Sequence, residues 1–267
     1  MRPTPGNRDR RVRPDRFAGT HGRGRPELTG DQGMAGQVNR WLRDWESMMD
    51  GYLPGRGDLM MAGMQTAETV LGRPPVAVLD LGGGPGTTAR KLLRRWPSSQ
   101  VSVLDIDPVL LALARAAARA AAIRRADLGT ARWRMTAGGP YDLVLAVMAL
   151  HYFPEGRIRQ LYPEIRRLLR PGGLLLVAEP MPEQASPNRR QPPDGLGPWQ
   201  RWWRALAGHP ALAQPMRERE RVLAGQKSTQ FVADLDWHQA AAWDAGYAES
   251  WLAWRRDDHA LLAARNT

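Results

Sequence analysis

The spacing of apolar residues changes character along this chain. Between residues 34 and 75 they recur at helical intervals, and the spacing predicts two or three amphipathic helices broken at Pro54-Gly55. From residue 76 short apolar runs alternate with helical stretches. "VAVLDL" (76–81) reads as a first strand and "TTARKLLRRW" (87–96) as a helix. "QVSVLDID" (100–107) is a second strand, followed by the helix "PVLLALARAAARAAA" (108–122), with Asp107 as N-cap and Pro108 at its first position. A short third strand is expected around "IRRADL" (123–128) and a fourth at "YDLVLAV" (141–147). The helix "GRIRQLYPEIRRLL" (156–169), interrupted at Pro163, leads into a fifth strand, "GGLLLVAEP" (172–180). Strands that are apolar throughout and alternate with helices imply a parallel sheet covered on both faces.

Residues 181–227 break the rhythm. A Pro-rich stretch precedes the helical "PWQRWWRALAGHPALAQPMRERERVLAG", which reads as an insertion over the carboxyl edge of the sheet. The chain ends with a helix, "DWHQAAAWDAGY", stopped at Gly246, and a hairpin of "ESWLAWRR" and "HALLAARN" about a "DD" turn. The expected organisation is a basic tail (1–30), an N-terminal helical cap (31–75), an α/β core (76–180), a helical lid (181–227) and a closing helix with hairpin (228–267).

Composition narrows the options. No run of about 18 uncharged apolar residues predicts a membrane span, and the first residues lack the apolar stretch of a secretory signal. The chain has no cysteine, which excludes disulfides, thiolate metal sites and a cysteine nucleophile, and fits a cytoplasmic enzyme. The net charge of +11 invites a nucleic-acid partner, but residues 1–26 hold eight arginines against two aspartates, six of those eleven charges. The rest of the chain is only mildly basic. Its distribution argues against a nucleic-acid face and for a disordered tail.

The chemistry begins at "VLDLGGGPGTTARKLL" (78–93), which places four glycines and a proline in five positions directly after the first strand. A dinucleotide fingerprint starting at Gly82 needs a small third residue at 87, where Thr87 stands, and a P-loop needs a Gly-Lys-Ser/Thr ending that is absent. An acid two residues ahead of G-x-G-x-G is present instead, as Asp80, Gly82, Gly84 and Gly86. A carboxylate at that mouth repels a pyrophosphate and attracts an ammonium. Asp105, closing the second strand, is placed to accept from both hydroxyls of a ribose, and Ile106 offers an apolar face to an adenine. Asp127 is placed for the adenine amino group and the Leu128 backbone for a ring nitrogen. Three acids ending three successive strands beside this loop point to S-adenosylmethionine (SAM).

At this point the chain resembles the class I SAM-dependent methyltransferases, above all small bacterial members, over residues 38–266. "VLDLGGGPGT", "VSVLDIDPVLLALAR", "ADLGTARW", "YDLVLAVMALHYF", "RRLLRPGGLLLVAE" and "AAWDAGY" carry the likeness. The resemblance implies a Rossmann-like α/β fold whose mostly parallel sheet has seven strands, the last antiparallel. It implies SAM as cofactor, with S-adenosylhomocysteine (SAH) as product. It places Arg56, in "LPGRGD", against the SAM carboxylate, and Ala146 and Val147 beside the cofactor at the end of the fourth strand.

Methyl transfer is an in-line displacement that rests on positioning, and a base is needed only for a protonated acceptor. Candidates lie where the fourth and fifth strands end: Met148, His151, Tyr152 and Glu179, with His151 the expected base. His21, His209, His238 and His259 stand in tail, loop or helix contexts. The Asn/Asp-Pro-Pro-Tyr/Phe motif of base-directed enzymes is missing, and residues 146–149 offer no acids for a metal. A metal-free transfer to O, N or C of a small molecule is therefore expected. Trp41, Trp45, Tyr52, Trp199, Trp202 and Trp203, with Met148, would shape an apolar or aromatic pocket over the methyl group, two or three of the six aromatics touching substrate. The competing readings are methylation of RNA or protein, for which the arginine tail speaks, and SAM binding without transfer. A monomer or homodimer is expected.

Overall fold

The computed structural model describes residues 32–183, 197–225 and 230–267. The arginine-rich stretch and most of the Pro-rich loop lie outside them.

Seven strands form one sheet in the order β3-β2-β1-β4-β5-β7-β6. They are β1 (Ala77–Leu81), β2 (Gln100–Asp105), β3 (Ala122–Arg125), β4 (Tyr141–Val147), β5 (Leu169–Pro180), β6 (Glu249–Arg256) and β7 (His259–Arg265). β1 to β5 pair in parallel, and β7 runs antiparallel to both β5 and β6, with a register break between Leu252 and Trp254. Alternation along the strands divides the core in two. Leu79, Leu81, Val144, Ala146, Leu175 and Val177 join one buried layer, while Val78, Leu143, Leu145, Leu174 and Leu176 join the other. Because β1 sits between β2 and β4, the chain reverses direction across the sheet there, and a crevice opens at the carboxyl ends of β1 and β4.

Helices cover both faces. α2 (Arg56–Leu71) and α3 (Thr87–Arg95) contribute to the second layer, α6 (Glu155–Arg166) and α9 (Leu235–Asp244) to the first, and the five-residue α5 (Trp133–Ala137) joins the first through Trp133. Two helix expectations need correction. α4 spans Pro108–Ala117 and stops short of residue 122, because Ala122 pairs with Ser102 in β3. The Ala118 and Ala121 N–H groups turn the chain by bonding back to Ala114 and Ala118. Alanine's helix preference yields to a strand that completes the sheet. α6, conversely, runs through Pro163 to Arg166 without interruption, since proline removes a single donor and the buried Ile158, Leu161, Tyr162 and Ile165 hold the helix on the sheet.

The remaining helices build a third cluster beside the sheet. α1 (Gln32–Tyr52), α7 (Pro198–Ala207) and α8 (Ala213–Leu223) pack around α4, burying Trp41, Trp45, Trp202, Leu206 and Val109. α8 is tied to the strand ends beneath it. Arg219 Nε donates to Asp107 Oδ2 at 2.6 Å with its guanidinium 3.8 Å from the Trp203 ring centre, and Arg125 pairs with Glu218. The 198–223 helices thus lie over the β2 and β3 end of the carboxyl edge. Among the described residues, no helix is long and apolar enough to cross a membrane.

Candidate active site

The glycine turn after β1 is held from below and from the side. The N–H groups of Gly82 and Gly83 donate to the Leu104 carbonyl at 2.8 and 3.2 Å, and the Gly84 N–H donates to Asp105 Oδ2 at 2.9 Å. At Gly86 the backbone has φ of 79°, and a Cβ there would stand 2.9 Å from the Ala114 Cα of α4. Only glycine lets the loop enter α3 this close to α4. At Gly83 a Cβ would meet the Asp80 carboxylate at 2.6 Å, so the bare backbone makes room for that buried acid.

Asp80 is 1% exposed, and its Oδ2 has no hydrogen-bond partner. Burial pushes its carboxyl up to about 7, Arg56 pulls against this, and Asp105 adds to it. Raised above its unfolded value, this group stabilises the ligand-free fold fully below about pH 4 and loses that contribution as pH rises through about 7. The melting temperature of the native chain should therefore fall relative to that of Asp80→Asn between pH 4 and 8. A constant difference across that range, measured by thermal melts, would contradict the assignment.

Asp105 sits at the end of β2, its Oδ1 accepting from the Asp107 N–H at 2.9 Å. Backbone donors thus fix both oxygens of the carboxylate. Burial pushes it up to about 6 against these bonds. Arg56, the buried first residue of α2, reaches the start of α3, donating to Thr87 and Thr88 hydroxyls at 3.2 and 3.4 Å and pairing with Glu46 of α1. Glu46 also holds Lys91; burial raises its carboxyl, but Arg56 and Lys91 bring it down to about 2. Sequence reasoning missed Glu46, Thr87 and Thr88; nothing local marks Glu46, which matters only because α1 docks across α3.

The residues expected beside an adenine are less confined. Ile106 and Asp127 are half-buried, Asp127 Oδ1 accepts from the Gly129 N–H at 2.8 Å, and the Leu128 carbonyl accepts from Arg157 Nε at 2.7 Å. At the end of β4 the Ala146 side chain is buried in the core, and the half-buried Val147 packs on the opposite layer.

Beyond β4 the backbone is strained. Met148 has φ of 54°, left-handed for a non-glycine residue, with its N–H bonded to the Ala178 carbonyl at 2.8 Å. This turn delivers the Ala149 and Leu150 N–H groups to Glu179 Oε1 at 2.8 and 2.6 Å. The other oxygen of the buried Glu179, Oε2, lies 2.5 Å from His151 Nδ1. A carboxylate so held accepts the Nδ1 proton and leaves Nε2 as the ring's acceptor. The His151 ring lies against Tyr152, centres 4.2 Å apart. Tyr152 is itself half-exposed; partial burial raises its phenol, and the charges of Glu179 and Asp105, with Tyr52, add to this.

The expected tryptophans gather, with Trp45 4.9 Å from Trp202 and 5.7 Å from Trp199, and Trp203 5.0 Å from Trp202. They gather against α4. Trp41 and Trp202 are 2% and 5% exposed, and Trp202 Nε1 donates to the Trp41 carbonyl at 2.9 Å, which suits the packing role expected of some of the six aromatics. Trp45 extends to the glycine turn, its ring edge 3.4 Å from where a Gly84 Cβ would lie. His238 is buried against the Tyr162 hydroxyl, and burial pushes it down to about 4. His209 caps a short turn under Trp41.

Residues 78–173 match the family described as "Methyltransferase domain". A trans-aconitate 2-methyltransferase from Azoarcus sp. is 34% identical over 153 residues, 56% of each chain. One from Streptomyces avermitilis is 38% identical over 112 residues, 41% of each. The aligned stretch thus spans about half the length of these relatives. Two solved structures share the fold. The N-terminal domain of EvdMO1 with SAH bound has a TM-score of 0.54 at 18% identity, covering 82% of this chain and 84% of that one. An O-methyltransferase family protein from Burkholderia thailandensis has 0.51 at 21%, covering 86% and 63%. Over residues 78–173 the chain is thus similar to methyltransferase domains, and the two solved structures share its fold.

Proposed function

We propose that the chain binds SAM at the carboxyl ends of β1 and β2 and transfers its methyl group to a small molecule held beside β4 and β5. The observation that carries this reading is the orphaned, buried Asp80 carboxylate under a glycine turn whose next anchor is Asp105. An acid without a partner fits a cationic amino-acid tail and no phosphate. Arg56 would hold the carboxylate of that tail, Asp105 the ribose hydroxyls, and Ile106, Asp127 and Leu128 the adenine. Gly82, Gly84 and Gly86 give the backbone its close approach, and Ala146 and Val147 floor the crevice. When bound, SAM supplies an electrophilic methyl group whose leaving thioether needs no acid. On the acceptor side His151 would take a proton through Nε2, and Tyr52, Met148, Trp45, Trp199 and Trp203 are the remaining candidates for substrate contact. The Azoarcus and Streptomyces relatives bear the name of a small-molecule enzyme, which supports an acceptor of that size.

The test is to incubate the chain with methyl-labelled SAM and a whole extract of its source organism, then separate small molecules from protein and nucleic acid. Label should appear among the small molecules. Label in the macromolecular fractions would replace this reading with RNA or protein methylation, and tight SAH binding with no label anywhere would leave a SAM-binding protein.

A further inference from the structure

The names of the relatives place a carboxylic acid at the receiving end of the reaction. We infer that this chain instead methylates an un-ionised hydroxyl group on an uncharged substrate, giving a methyl ether. The inference rests on the methyl-transfer reading above and specifies its acceptor.

The first argument is the base. A carboxylate is already ionised near neutral pH and attacks without help, whereas a hydroxyl must lose its proton as the new bond forms. The His151–Glu179 pair is built for that loss. Glu179 is fixed by three donors, the N–H groups of Ala149 and Leu150 and Nδ1 of His151. It therefore sets the ring's tautomer and stabilises the imidazolium that forms when Nε2 takes a proton. A site for a carboxylate acceptor has no use for this pair.

The second argument is charge. A di- or tricarboxylate needs cations, and those around this rim are engaged. Among the described residues, Arg255 at the end of β6 donates to the Met181 carbonyl at 3.0 Å and faces Glu183 at 3.7 Å. Its neighbour Arg256 faces Asp58 at 3.7 Å, and Arg56 is already assigned to the carboxylate of the cofactor tail. His259, on β7, stands opposite Pro180 of β5, one residue beyond the Glu179–Ala260 pair, and burial lowers its basicity. What the rim does present is soft and aromatic: Tyr52, Tyr152 and Met148.

In the proposed step the acceptor oxygen bonds to the methyl carbon as that carbon releases its bonding pair to sulfur. The hydroxyl proton moves to His151 Nε2 and from there to solvent, so charge and atoms balance.

The experiment reads the bond formed. Labelled small-molecule products from the full chain, methyl-labelled SAM and the extract are split by cation and then anion exchange, and the part retained by neither is treated with mild alkali and, separately, with hot hydriodic acid, which frees the methyl of an ether and not one bound to carbon. In alkali an ether keeps its label, and an ester releases it as methanol. The expected result is an uncharged, alkali-stable product whose formation falls at least about 10²-fold in His151→Ala and in His151→Gln, both checked for SAH binding. His151→Gln retains a donor to Glu179, so its loss of activity cannot be assigned to a collapsed turn. Alkali-labile label, label retained by either exchanger, label that hydriodic acid does not free, or product formation unchanged in both variants would overturn the inference while leaving methyl transfer standing. No labelled product despite SAH binding would overturn the methyl-transfer reading itself.

Discussion

His151→Ala is expected to lower turnover by about 10²–10⁴-fold while leaving SAH affinity within about twofold. The separation follows from where the ring sits. It lies beyond β4 on Glu179 and Tyr152, whereas the proposed polar contacts to the cofactor come from α2 and the ends of β1, β2 and β3. Glu179→Gln should lower turnover as well, for a different reason. A glutamine amide can still accept from Ala149 and Leu150, but it donates to Nδ1 and so puts the ring proton on Nε2, the wrong tautomer for a base. Glu179 is thus a positioning residue. Steady-state kinetics with calorimetric SAH titrations would check both variants. A fall of less than tenfold in His151→Ala would reduce the ring to packing against Tyr152.

Asp105→Ala is expected to weaken SAM and SAH binding by more than about tenfold in calorimetry, a factor worth about 1.4 kcal/mol. The Asp105 carboxylate pins the Gly84 N–H and the Asp107 N–H, and it is the proposed acceptor for two hydroxyls. A hydrogen bond to a charged group contributes about 1.5–3 kcal/mol, so the loss of one accounts for the expected change. Asp105→Asn keeps an acceptor for Gly84 and should lose less. Unchanged affinity in Asp105→Ala would remove the ribose assignment.

The inner strands β1, β2, β4, β5 and β7 were legible because they are buried on both faces and read as near-continuous apolar runs between turn residues. The glycine turn, Asp80 and Asp105 were legible for the same reason: they punctuate strand ends. What escaped depended on docking between segments distant in the chain. Glu46 is one charge among several on α1 until α2 and α3 bring Arg56 and Lys91 to it. The tryptophans of α1 and α7 carried the right expectation that they meet, but no pattern in the sequence says that α4 is the surface they meet on. The run of alanines after Leu113 reads as continuous helix because propensity is local, whereas the partner that draws Ala122 into β3 lies twenty residues upstream at Ser102.

The two outer strands bear on how this sheet behaves in a crowded solution. β3 is only four residues long and carries Arg124 and Arg125, so it offers a second chain few backbone groups and a repulsive border. β6 is longer, but its register breaks between Leu252 and Trp254 and it ends in Arg255-Arg256. An incoming strand could match one half of β6 and would then fall out of step with the other. Both margins of the sheet are poor templates for growth, which disfavours extension of its hydrogen-bond ladder into a second chain.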